Sequence, residues 1–184
     1  PDFHGCIEAL VTDAAGQPLT DSVPLAGSVD WRECAASLTG IRSGYGRLVL
    51  RFEGAGDIDL DGVSLVADDH WGRDNPKWRQ GKLRRDLVEA LRDLRPRFLR
   101  FPGGCIVEGN GPGNEYDWRD TVGPLLARKP KYNLWGGHLK DGGYSQSYQI
   151  GFYEYFLLCE DLGMEPLPTL FAGLNCQFRS RHRV

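Results

Sequence analysis

The hydrophobic period of the chain changes once, near Trp71, and that change limits the folds open to it. Before it, apolar and polar side chains alternate. Arg47-Leu48-Val49-Leu50-Arg51-Phe52-Glu53 has the pattern expected of a strand half-covered by a second sheet. Asp57-Ile58-Asp59-Leu60-Asp61 alternates too and runs on through Val63-Ser64-Leu65-Val66. Gly5 to Val11 and Trp31 to Leu38 are further strand candidates, with a turn at Asp13-Ala14-Ala15-Gly16-Gln17-Pro18. Short strands with Gly-rich breaks and no intervening helical pattern point to a β-sandwich up to about Val66.

Beyond a linker at about 67–80 the spacing becomes helical. Leu83, Leu87, Leu91 and Leu94 recur on one face, with Arg, Asp and Glu on the other, until Pro96 stops the helix. Arg97-Phe98-Leu99-Arg100-Phe101 reads as a short strand closed by Pro102-Gly103-Gly104. Residues 109–143 are rich in Gly, Pro, Trp and Asn and lack a period, so they read as a long loop, a feature often tied to function. A second helix is expected from about Ser147 to Leu162, carrying Ile150, Tyr153, Phe156 and Leu157 and ending at Gly163. Glu165 to Phe171 follows as another strand. Strand, loop, helix, strand is a βαβ unit with two parallel strands. The fold class is therefore α/β with an all-β N-terminal part. One crossover helix cannot cover both faces of a parallel pair, so the C-terminal part reads as incomplete for a domain.

Composition removes several function classes. Hydrophobic residues at 41% and charged residues at 26% suit a globular protein. A net charge of -3 with scattered basic residues argues against nucleic acid as a partner. No apolar run approaches the ~20 residues that span a bilayer. The five cysteines form no C-x-x-C pair, which leaves no zinc-ribbon or thioredoxin-like signal, and most read as buried small hydrophobes. No metal and no cofactor are expected.

The candidate chemistry lies on loops after the carboxyl ends of the parallel strands, namely Pro102-Gly103-Gly104-Cys105, the loop to Gly143 and the segment after Phe171. A Gly pair permits a sharp turn and close ligand approach. Leu99-Arg100-Phe101-Pro102-Gly103-Gly104-Cys105-Ile106-Val107-Glu108-Gly109-Asn110, with Trp118-Arg119-Asp120-Thr121-Val122-Gly123-Pro124 behind it, resembles the α-L-arabinofuranosidases of glycoside hydrolase family 51. The stretch Asp86 to Phe98 is similar to the helix before that family's first barrel strand. Asp59 to Leu65 is similar to the last strand of its preceding sandwich, and Cys159 to Leu167 to the approach to its second barrel strand. The resemblance runs from about Leu48 to Gln177.

The resemblance implies the end of a β-sandwich at 1–66 and the first βαβ portion of a (β/α)8 barrel at 81–184. It also implies a parent enzyme that releases terminal α-L-arabinofuranose from arabinoxylan, arabinan or related oligosaccharides. Such enzymes retain configuration, with two glutamates ~5–5.5 Å apart across the anomeric carbon. The family places these glutamates after the fourth and seventh barrel strands, so both are expected beyond Val184. Gly113-Asn114-Glu115 copies the acid/base signature but falls after the first strand, where a loop carboxylate is expected instead.

The implied contribution of this chain is a substrate wall formed by Arg100, Gly103, Gly104, Cys105, Glu108, Asn110 and Trp135. Cys105 either lines the sugar subsite or is a buried small residue. Arg100 either holds the downstream nucleophile ionised or forms a plain structural ion pair. Glu108 and Asn110 either reach the ligand or hold their turn together. Trp135 would stand beside the sugar, and His138 replaces what is usually a second Trp. Trp118 and Asp120 are expected to brace the loop.

The partner implied is an arabinose-containing polysaccharide or oligosaccharide, with homo-oligomers possible for the full-length protein. Localisation tilts to secretion or the periplasm over the cytoplasm. The competing readings are a non-catalytic carbohydrate-binding module and a related barrel glycosidase of different sugar specificity, since fold does not fix substrate.

Overall fold

The computed structural model describes residues 3–133, 135 and 144–178. The chain divides into two compact units, one ending at Leu65 and one starting at Val66.

The first unit is a three-stranded antiparallel sheet in the order β2-β1-β3, made of β1 (His4–Thr12), β2 (Val23–Leu25) and β3 (Arg47–Ala55). β1 is central, with Ile7 opposite both Leu25 and Phe52 and Leu10 opposite Val49. Ile7, Ala9, Leu10 and Leu19 are the unit's buried hydrophobic residues, Ile7 and Ala9 on one face of β1 and Leu10 on the other. The turn after β1 is held by Asp13, whose Oδ1 accepts from the Ala15 and Gln17 amides at 2.9 and 2.8 Å.

Two strand expectations fail here. Residues 31–38 and 57–66 are extended or bent but not strands, and among the described residues neither pairs along a neighbour. Alternation supplies a face, but a strand also needs a partner for its N–H and C=O groups. Trp31, Val63 and Leu65 consequently lie more than half exposed. Likewise β3 has no second sheet over it among the described residues, and Phe52 stays 40% exposed. The coarse class, a β-rich N-terminal part before an α/β part, is what the structure carries.

In the second unit α1 (Arg85–Leu94) leads into β4 (Phe98–Phe101), and α3 (Phe152–Leu162) leads into β7 (Glu165–Pro168). Between them lie the one-turn helix α2 (Cys105–Glu108) and a ribbon of β5 (Lys131–Tyr132) with β6 (Ser145–Gln146). β4 and β7 pair in parallel, Phe98 against Glu165 and Phe101 against Pro168, as the βαβ reading expected. The described part of the long loop contains 3-10 turns at Trp118–Thr121 and Leu125–Ala127.

Both helix ends follow from local chemistry. Gly163 closes α3 in the left-handed conformation (φ 64°), where glycine has no steric penalty. α1 stops at Leu94, two residues before Pro96, and Arg95 turns left-handed (φ 50°), because a following proline disfavours the right-handed helix. The α1 face differs from the expected leucine row. Val88 is buried and Leu91 partly so, whereas Leu87 and Leu94 are 58% and 78% exposed. On α3 the buried residues are Phe152, Glu154, Leu157, Leu158 and Cys159, and Tyr153 and Phe156 lie outside that set. A single parallel pair gives each helix one narrow contact, so only part of each apolar face finds cover.

Phe101, 2% exposed, is the centre of the core. Its ring stacks on Tyr155 at 4.7 Å and meets Phe152 and Phe156 edge-on at 5.3 Å. The 67–80 stretch, read as a linker, carries Trp78 into this core at 3% exposure. Asp161 on α3 accepts from the indole nitrogens of both Trp71 (2.7 Å) and Trp78 (2.9 Å). Among the described residues no helix is long and apolar enough to cross a membrane.

Candidate functional site

The carboxyl end of β4 turns at Pro102-Gly103-Gly104 through a cis Phe101–Pro102 peptide. Gly103 has φ +150°, a region closed to other residues, so this turn requires glycine at that position. It delivers Cys105 to the first position of α2, with the Glu108 amide bonded back to the Gly104 carbonyl at 3.3 Å. The chain then folds over itself. The Asn110 amide donates to Asn114 Oδ1 at 3.0 Å, and Asn114 Nδ2 donates to the Tyr132 carbonyl at 2.9 Å.

The loop after β7 meets this turn. Asn175 Nδ2 donates to the Glu108 carbonyl at 2.9 Å, and the Cys176 amide donates to the Gly109 carbonyl at 3.1 Å. These bonds bring the Cys105 and Cys176 sulfurs and the Glu108 carboxylate within 4.8 Å of one another. Cys105 and Glu108 are half-buried and Cys176 is fully buried. Burial first, then the neighbouring Cys105 and Glu108, push the Cys176 thiol up to about 12.

Of the residues nominated from sequence, Gly103, Gly104, Cys105, Glu108 and Asn110 fall in this one turn. Arg100 is exposed on β4, and a Cβ placed at Gly104 would stand 3.5 Å from its Nη2, so the guanidinium lies against the Gly pair. Among the described residues Arg100 makes no ion pair. Trp135, 49% exposed, is fixed by its amide, which donates to Asn133 Oδ1 at 2.8 Å. His138 lies outside the described residues.

Glu115 is half-buried and turned into its own loop, its Oε2 accepting from the Gly113 amide at 2.7 Å. Trp118 packs near Phe152, with ring centres 6.5 Å apart, and Asp120 pairs with Lys131 at 3.0 Å. Asn175 and Cys176 were not singled out from sequence, although the segment after Phe171 was placed on this face. Cys6 and Cys34 are exposed, against the expectation that most cysteines are buried.

A family model described as the alpha-L-arabinofuranosidase 1 domain matches residues 90–183, from the middle of α1 through both loops of this site. The chain belongs to the α-L-arabinofuranosidases of glycoside hydrolase family 51. Among curated relatives, the extracellular exo-α-L-arabinofuranosidase of Streptomyces chartreusis is 38% identical over 178 residues, covering 90% of this chain and 20% of that protein. α-L-Arabinofuranosidase 2 of Arabidopsis thaliana is 42% identical over 121 residues, 65% of this chain and 16% of the relative. α-L-Arabinofuranosidase A of Aspergillus niger is 37% identical over 97 residues, 53% of this chain and 14% of the relative. This arabinofuranosidase-family chain thus spans about a fifth or less of the length of the relatives it matches. In fold it is similar to the arabinose-bound MgGH51 α-L-arabinofuranosidase, with a TM-score of 0.57 at 24% identity over 96% of this chain and 27% of that one.

Proposed function

We propose that this chain forms one wall of the sugar site in a retaining α-L-arabinofuranosidase. In this reading residues up to about Val66 end a β-sandwich, 67–80 join the parts, and a (β/α)8 barrel begins near residue 81 with β4 and β7 as its first two strands. The observation that carries it is the meeting of the loops after β4 and β7. Two parallel strands present their carboxyl-end loops on one face, and Asn175 and Cys176 tie the second loop to the Glu108 and Gly109 carbonyls, at the end of the short helix that follows the Gly103-Gly104 turn. Active sites of parallel barrels are built at that end.

The chemistry assigned to the parent is double displacement at the anomeric carbon by two glutamates outside these residues. The role of this chain is to place the sugar. The Gly103-Gly104 turn admits close approach, Cys105, Glu108 and Asn110 face the ring hydroxyls, and Trp135 offers an exposed aromatic face. Arg100, without an ion pair among the described residues, is positioned to hold a carboxylate ionised, which a nucleophile requires. The substrate is an arabinose-containing polysaccharide or oligosaccharide. The parent works outside the cytoplasm, which the extracellular Streptomyces relative supports.

The test offers the full-length parent the 4-nitrophenyl glycosides of α-L-arabinofuranose, β-D-xylopyranose and β-D-glucopyranose. Release from the arabinofuranoside with retained configuration is expected. Release from another glycoside alone, or binding of arabinoxylan without hydrolysis, overturns the reading. The 184-residue chain by itself is expected to be inert, and turnover that vanished in Glu115→Gln would move the acid/base into this loop.

A further inference from the structure

We propose that Arg128 and Glu154 are positioning residues that clamp both legs of the β5–β6 ribbon and so hold Trp135 at the sugar site. The inference rests on the reading of this chain as a wall of that site, and it concerns residues outside the turn after β4.

The ribbon has only two residue pairs, Lys131 with Gln146 and Tyr132 with Ser145. An isolated two-stranded ribbon is barely stable in water, so its place is set by contacts at its base. Arg128 lies three residues before β5, and its Nη1 reaches across to the other leg, donating to the carbonyl of Tyr148, two residues beyond β6. The same guanidinium donates to both carboxylate oxygens of Glu154, in the first turn of α3. One fork therefore closes the base of the ribbon and fastens it to the helix.

The ribbon passes this placement on to the site. The Asn133 amide donates to the Tyr144 carbonyl at 2.9 Å, which adds one more rung, and Asn133 Oδ1 accepts the Trp135 amide. On the near side Asn114 bridges the Tyr132 carbonyl and the Asn110 amide, so β5 stands against the loop after β4.

A buried ion pair is a weak source of stability, because desolvation offsets much of its attraction. What the two-pronged pair supplies is a single geometry, since a planar fork meets both oxygens in one orientation. With both side chains 1% exposed, neither is open to a sugar, and they act through Trp135. An aromatic face that holds the sugar equally well before and during reaction lowers KM and leaves kcat alone. Displacing it raises KM.

The experiment measures kcat and KM of the full-length parent on 4-nitrophenyl α-L-arabinofuranoside. Arg128→Met/Glu154→Leu removes the fork without stranding a buried charge, and it is expected to raise KM about tenfold with kcat held within about twofold. Trp135→Ala should do the same, and the three substitutions together should raise KM no further, because they act on one contact. Val88→Ala, a core change on α1, should lower the melting temperature and leave KM unchanged, which separates lost stability from lost position. If the apolar pair fails to fold, Arg128→Lys keeps the charge but not the fork, and should raise KM about threefold in the parent and not at all beside Trp135→Ala. An unaltered KM in the clamp variants, or increases that multiply with that of Trp135→Ala, overturns this inference alone. Absence of turnover by the unaltered parent overturns the sugar-site reading and the inference with it.

Discussion

Arg128 and Glu154 form a two-pronged ion pair with both side chains 1% exposed, Nη1 and Nη2 lying 2.9 and 2.8 Å from the two carboxylate oxygens. Arg128 also donates to the Gly123 carbonyl at 3.0 Å and the Tyr148 carbonyl at 2.8 Å, and Glu154 accepts the Gly151 amide at 2.9 Å. The pair thus joins the long loop to the first turn of α3. Removing one partner leaves a buried charge uncompensated, at a cost of about 3–5 kcal/mol. Glu154→Ala is expected to cost that much in urea unfolding of the parent. Arg128→Met/Glu154→Leu should cost far less than the two single changes added together. A single-variant loss under about 1 kcal/mol would show that the pair is solvated.

Gly151 marks a close approach in the same place. A Cβ there would stand 1.9 Å from the Thr121 carbonyl oxygen, a backbone atom that cannot swing aside. The Phe152 amide also donates to Thr121 Oγ1 at 3.1 Å, which fixes the spacing from the other side. Gly151→Ala should therefore destabilise by at least the ~1–3 kcal/mol of an overpacked core. Gly111→Ala, with nothing within 4 Å of its Cβ, is the matched control and should leave the melting temperature unchanged.

Tyr148 is 4% exposed, and its hydroxyl has no hydrogen-bond partner among the described residues. Burial first, then the nearby Asp120 and Asp117, push that hydroxyl up to about 12. The unfolded chain releases this proton from the ordinary tyrosine value of ~10 upward while the folded one keeps it, so stability is lost as pH rises through that window. Tyr148→Phe should be neutral or stabilising near pH 7, because it removes an unpaid desolvation. Its unfolding midpoint should also fall less than that of the unchanged protein between pH 10 and about 12. A loss above ~1 kcal/mol at pH 7 would reveal a hydrogen bond to the hydroxyl.

Cys105→Ala in the parent should lower kcat/KM by ten- to a hundredfold, the equivalent of ~1–3 kcal/mol for one lost polar contact. The melting temperature should hold. Unchanged kinetics with a lowered melting temperature would make Cys105 a packing residue.

The parts of this architecture legible in sequence are those set by local rules. Helical spacing located α1 and α3, Gly163 ended α3, and Pro102-Gly103-Gly104 marked the turn after β4. What stayed hidden depends on partners. Residues 57–66 alternate like a strand yet have no neighbour to pair with among the described residues. The leucine row of α1 has the right period, but on this helix Val88 is buried and Leu91 only partly covered, while Leu87 and Leu94 stay exposed. Arg128 lies in a stretch without a period, and nothing nearby announces that Glu154 completes it. Cys176 was hidden for the same reason, because its meeting with Cys105 exists only once β4 and β7 lie side by side.

The two bonds from Asn175 and Cys176 to the β4 loop also govern how this face can be altered. Residues on the two loops share donors and acceptors, so their substitutions will not add. A changed residue 175 removes the donor to the Glu108 carbonyl, at the end of the helical turn that begins at Cys105. Screening one loop at a time would sample mostly broken pairs. Altering this face calls for libraries in which 105–110 and 175–176 vary together.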